Sequence, residues 1–283
     1  MTARFGPAGT AESFAAMGYR TTLQMPEYLT KMSLNAFEYQ CGRGVNITEE
    51  KARELGKRSA EAGIRLSLHA PYYISLASAE QEKRDNSVNY ILSSARAADW
   101  MGADRIVVHS GGKGKMERRE AMEVALATFK QALDALDREG LGHIHLCPET
   151  MGKINQLGDL EEVMEFCRLD ERVIPCIDFG HLNARTCGGL STKADFEAVF
   201  SIMENAIGID RVRQYHAHFS KIEYSAGGEV RHLTFADEVY GPSYEHLLEI
   251  TARKNCTPTI ICESAGTQSE DAAEMKRYYE ALL

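Results

Sequence analysis

In the stretch Pro175 to Asn183 (PCIDFGHLN), an apolar run ends in the carboxylate of Asp178, and the imidazole of His181 follows three residues later. Other short apolar runs end in the same residue types: His69, His109, Glu149, His216 or His218, and Glu263. His181 and His232, in connecting segments, can join them. Imidazole and carboxylate together are the usual ligand set of zinc or manganese. A single histidine at such a position is more often a hydrogen-bonded structural residue. Most of the nine histidines fall at these positions, however, and several buried carboxylates need partners because desolvating them is costly. The pattern points to a divalent-metal centre.

Other chemistries are poorly supported. There is no G-x-S-x-G elbow for a serine nucleophile. The seven cysteines are scattered, with no C-x-x-C pair, and read as small buried hydrophobes of a reducing compartment. The loop Ser110 to Lys115 is rich in glycine but lacks the Walker spacing, so a plain turn is the simpler reading. Lys113, Lys115, Arg118 and Arg119 form the densest basic run, which next to a metal mouth would be placed to meet phosphates. His143 and His145 lie early in their strand, at the stability face, and are assigned to core or surface; His246 sits on a helix and is assigned to solvent.

These residues need a scaffold that gathers strand ends. The predicted strands are 4–6, 36–39, 64–69, 104–109, 143–149, 173–178, 212–219 and 257–263. Helices are expected at 22–33, 48–62, 82–101, 117–139, 159–168, 193–207, 242–254 and 269–282, with a polar loop over 220–240. Thr48 starts its helix without an acid three residues on, and Gly63, Gly102 and Gly140 are stop signals. Strict strand–helix alternation implies parallel βαβ units. Eight units in 283 residues fit an α/β fold, a single (β/α)8 TIM barrel spanning 1–283, better than two Rossmann-like halves. In such a barrel, the C-terminal strand ends share one mouth.

The net charge of −9 argues against a broad, non-specific nucleic-acid binder, whose footprint is normally basic. No apolar run reaches membrane length and the first residues show no signal pattern, so a cytoplasmic protein is expected, with no membrane partner.

With these residues in place, the chain resembles the endonuclease IV family within the xylose-isomerase-like barrels, over about residues 30 to 265. Ser67-Leu68-His69-Ala70-Pro71-Tyr72 is similar to that family's S-x-H-A-P-Y motif, and Asp178-Phe179-Gly180-His181 to its D-x-x-H. His109-Ser110-Gly111 resembles its H-P-G, Glu149 in PET its E-N-T, and Glu263 its final strand-end glutamate. The resemblance implies two or three zinc ions, with manganese as the alternative metal. His69, His109 and Glu149 would hold the first. Glu149, Asp178, a histidine of the seventh strand and Glu263 would hold the second; His181, His232 and a carboxylate, the third. His218 lies nearer the mouth and is preferred, although counting back from Lys221 selects His216. Val230 stands where the family has the aspartate of D-x-H, and only Glu229, one residue off register, is left to substitute. Glu38 is either a further mouth carboxylate or a buried structural one.

The implied activity is hydrolysis of DNA at abasic sites by a metal-activated water. Glu149 and Glu263 would be catalytic, and Tyr72 would stack against or wedge into the DNA. The alternative is a single-metal isomerase or epimerase of a small sugar, using Glu149, Asp178, His218 and Glu263. A barrel that binds metal without turnover is a third reading.

Overall fold

A computed structural model describes residues 2–283. In chain order its elements are β1 (Arg4–Pro7), α1 (Glu12–Ala16), α2 (Met25–Lys31), β2 (Ala36–Gln40), α3 (Glu49–Glu61), β3 (Arg65–His69) and α4 (Gln81–Met101). Then come β4 (Arg105–Val108), α5 (Arg118–Arg138), β5 (His145–Pro148), α6 (Leu160–Cys167), β6 (Cys176–Asp178), α7 (Phe179–Arg185), α8 (Lys193–Ile207) and α9 (Ile209–Val212). The chain ends with β7 (His216–Phe219), β8 (Ile222–Ser225), β9 (Gly228–His232), α10 (Tyr244–Arg253), β10 (Thr259–Cys262) and α11 (Gln268–Glu280).

Two parallel four-stranded sheets, β1-β10-β7-β6 and β2-β3-β4-β5, are joined by parallel bridges between Ala8 and Glu38 and between Glu149 and Cys176. The ring is thereby closed: this is the expected α/β fold, a (β/α)8 barrel. The antiparallel hairpin β8–β9 stands outside the ring.

Side chains alternate across each strand. One set packs outward under the helices, as Leu66 and Leu68 of β3, Ile106 and Val108 of β4 and Ala217 and Phe219 of β7 do within the main core. The other set faces the axis. Val107, Cys147 and Cys176 form a small apolar cluster there, apart from the main core. At the N-terminal end of the axis, buried Arg105 is held by Asp104, with Nε 2.9 Å from Oδ1. The ligand-type residues fill the C-terminal end, so apolar burial is carried largely by the outward set.

Several expectations need revision. The polar loop predicted over 220–240 contains the β8–β9 hairpin. The strand predicted over 212–219 begins at His216, because Ile209–Val212 is a short helix. His181 lies not on a loop but in the first turn of α7, whose N-cap is Asp178. α1 was not anticipated; a five-residue helix leaves little periodicity to detect. His246 is partly buried, its ring 5.9 Å from that of Phe196, rather than solvated. His143 and His145 agree with their assignment to core or surface: His145 is tied to the backbone, Nδ1 lying 2.7 Å from the Arg172 carbonyl, and His143 is exposed beside Asp99.

Candidate metal centre

A cavity of about 340 Å³ opens at the C-terminal mouth, bordered by His69, Tyr72, His109, Glu149, His181, Glu229, His232 and Glu263. A larger groove of about 500 Å³ lies at the opposite end between α3 and α4, where Arg53 is paired with Glu49 and Arg65 with Asp104, and it gathers no histidine. The convergent chemistry is at the mouth.

Three groups of ligand-type atoms meet there, each group within 4.8 Å: His69–His109–Glu149, Glu149–Asp178–His218–Glu263, and His181–Glu229–His232. Glu149 is shared by the first two. Its Oε2 lies 2.9 Å from His109 Nε2 and 3.3 Å from His69 Nε2. Its Oε1 lies 3.0 Å from His218 Nδ1 and 3.5 Å from His181 Nδ1. Burial pushes this carboxyl up, but His218 and His109 outweigh burial and hold it well below the usual carboxylate range. Burial raises the Glu263 carboxyl. Burial would lower His181, yet Asp178, Glu149 and Glu229 push it up to about 10.

The polar accounting fits divalent cations. His69 Nδ1 lies 2.8 Å from the Ala70 carbonyl, and His181 Nδ1 2.9 Å from the Thr150 carbonyl, so in each neutral ring the proton sits on Nδ1. The Nε2 lone pairs then face carboxylates, Glu149 at 3.3 Å and Glu229 at 3.4 Å. Two acceptors face each other in both places, and only a proton or a cation between them relieves the repulsion. Asp178 Oδ2 is buried with no hydrogen-bond partner. Such an atom is costly unless a cation meets it.

The third group depends on a local irregularity. Glu229 and His232 are three apart and would point to opposite faces of a regular strand. The β8–β9 register shifts between Glu223 and Tyr224, which pair with Arg231 and Glu229, leaving Val230 as the extra residue. A bulge of this kind restores the parity, so Glu229 and His232 turn to the same side. Space for the pair is made by two glycines. A Cβ on Gly152 would lie 2.6 Å from Glu229 Cβ, and one on Gly228 would lie 2.1 Å from the Gly152 carbonyl oxygen. Val230 itself is half exposed. Deleting Val230 should therefore leave metal content unchanged by elemental analysis, whereas His181→Ala should remove one equivalent. Loss of metal on the deletion, or full metal content in His181→Ala, would contradict this arrangement.

Of the two candidate histidines on β7, His218 reaches Glu149, Asp178 and Glu263, whereas His216 sits one layer deeper with Nε2 3.0 Å from Glu38 Oε2. Tyr72 is exposed at the rim, its ring 5.2 Å from that of His69 and 5.3 Å from that of His109. The basic run is less available than its sequence suggests: Arg118 is paired with Glu162 and Arg119 with Glu165. The glycine-rich loop is held by its own backbone, with Lys113 N–H donating to the Asn155 carbonyl and Leu157 N–H to that of Gly111. Lys153 and Gln156 also line the cavity, and no motif marked them in advance.

Residues 26–282 match the sequence model of the family described as "Xylose isomerase-like TIM barrel". An uncharacterized protein of Methanocaldococcus jannaschii is 32% identical over 254 residues, 90% of either chain. A probable endonuclease 4 of Methanosphaera stadtmanae is 27% identical over 157 residues, 54% of either chain. Among solved structures, a D-tagatose 3-epimerase-like protein superposes with a TM-score of 0.73 at 18% identity, covering 99% of this chain and 98% of its own.

Proposed function

Because the chain belongs to the xylose isomerase-like TIM barrel family, we propose that it is a phosphodiesterase of that family, dependent on divalent metal and acting on DNA at abasic sites. The observation that carries this reading is the pair of additional ligand groups, His69–His109–Glu149 and His181–Glu229–His232, flanking the tetrad of Glu149, Asp178, His218 and Glu263. A one-metal isomerase has no use for five further ligand-type residues beside its tetrad. Closely spaced cations, zinc or manganese, would supply Lewis acidity at a phosphoryl group and lower the pKa of a water. The protein's own residues do the rest. Glu149 joins the first two groups, Asp178 completes the second from beneath, Glu263 lines the cavity where a phosphoryl group would enter, and Tyr72 offers an exposed aromatic face at the rim for an unstacked nucleotide.

Sugar isomerisation or epimerisation is the second reading. A cavity of about 340 Å³ suits a small molecule, and the tetrad alone would hold one cation, with Glu149 and Glu263 as the proton-moving pair. Metal stoichiometry on protein purified without chelator separates the two: two or three equivalents are expected, together with cleavage of an abasic duplex that stops on exhaustive chelation. One equivalent, with no cleavage by the metal-replete protein, would discard the nuclease reading in favour of the isomerase.

A further inference from the structure

Directly beneath the tetrad the barrel axis carries a carboxylate that the proposed chemistry leaves unused. Glu38, on β2, is fully buried. Its Oε2 accepts from Ser67 Oγ at 2.9 Å and lies 3.0 Å from His216 Nε2. Its Oε1 accepts from Gln40 Nε2 at 3.2 Å and lies 3.0 Å from His218 Nε2, a contact of charge that the ring angle keeps from being a hydrogen bond. Among the described residues no lysine or arginine is paired with it. The opposite edge of the His218 ring faces the mouth, with Nδ1 3.0 Å from Glu149 Oε1 and 3.6 Å from Glu263 Oε2.

An imidazole presents one nitrogen to a cation only when the other nitrogen carries the proton, and the partner of that N–H sets both tautomer and ring orientation. A carboxylate oxygen beside Nε2 keeps the proton there and leaves the lone pair on Nδ1, toward Glu149, Asp178 and Glu263. We propose that Glu38 is the positioning residue of the centre, holding His218 in the tautomer and orientation that offer Nδ1 to a divalent cation. The proposal rests on the metal-centre reading above and deepens it. A role confined to packing has no need of the charge, because a glutamine of the same shape would fill the position. The structure instead places the negative charge against the back of the ring that faces the three mouth carboxylates.

Glu38→Gln tests this without opening a cavity. Wild type, Glu38→Gln and Ser67→Ala are stripped with chelator and titrated with Co²⁺, whose visible absorption reports the ligand field. Thermal unfolding is followed on the metal-free proteins. In Glu38→Gln, one Co²⁺ equivalent should bind about 10–100-fold more weakly, with an altered absorption band, while the metal-free protein still unfolds in one cooperative transition. Ser67→Ala removes one hydrogen bond to Glu38 and leaves its contact with His218, so its affinity should stay within about threefold of wild type. The proposal is overturned if Glu38→Gln titrates with wild-type affinity and spectrum. It is also overturned if Ser67→Ala weakens binding as much, since packing would then be the cause. Wild type that takes up no Co²⁺ would sink the metal-centre reading itself, a result distinct from any difference between wild type and Glu38→Gln.

Discussion

Glu149→Gln is expected to lower turnover by more than the ~10²–10³-fold typical of losing one charge-stabilising group, and to lower metal content by more than one equivalent. The carboxylate stands within 3.5 Å of nitrogens on His69, His109, His181 and His218, so four imidazoles, three from strand ends and one from the first turn of α7, are arranged around one negative charge. Glutamine keeps the volume but removes the charge and turns one oxygen into a donor. That donor would face either His69 and His109 or His218 and His181, and neither pair can tolerate it while also offering lone pairs to a cation. The first and second ligand groups share Glu149 and should weaken together, unlike the loss of one equivalent expected for His181→Ala. Elemental analysis and abasic-duplex cleavage on the same preparation check this. A variant with full metal content and near-normal turnover would remove Glu149 from its bridging role.

The strand ends were legible in the sequence because a parallel barrel buries the outward faces of its strands under helices. An apolar run that stops in His, Asp or Glu therefore stands out. The choice between His216 and His218 was not legible by periodicity, since residues two apart share a face. Depth along the axis distinguishes the two: His218 pairs in register with Asp178 of β6, whereas His216 is level with Cys176 and Thr259. The β8–β9 hairpin was missed because only Ile222 and Gly228 within it are buried, so no alternation marks it. Its bulge is the reason that Glu229, apparently one residue out of place, faces His232. Glu38 was ambiguous because its partners on β3 and β7 lie 29 and 178 residues away. Only closure of the barrel brings them together.

Asp178 performs two tasks with its two oxygens, and a pair of substitutions separates them. Oδ1 accepts the His181 backbone N–H at 2.7 Å, capping α7, while Oδ2 is buried without a hydrogen-bond partner and lies 3.1 Å from His181 Nδ1. Asparagine caps helices about as well as aspartate, whereas alanine at a cap costs about 0.5–2 kcal/mol. Asp178→Asn should then unfold close to wild type in the metal-free state, with Asp178→Ala lower by about that amount. Activity should not follow stability. An amide is a far poorer partner than a carboxylate for a divalent cation, so both variants should lose turnover by about 10³-fold or more, comparable to removal of a principal charge-stabilising group. If Asp178→Asn retained turnover within about tenfold of wild type, Oδ2 would not be a ligand, and Asp178 would be reduced to the helix cap. If the two variants instead matched in stability, the cap would be dispensable, and α7 would be held by the burial of Phe179 against Phe196 and Phe200, whose rings lie 5.6 and 6.5 Å away. His181 depends on either outcome, because the same helix turn sets its Nδ1 on the Thr150 carbonyl and its Nε2 toward Glu229.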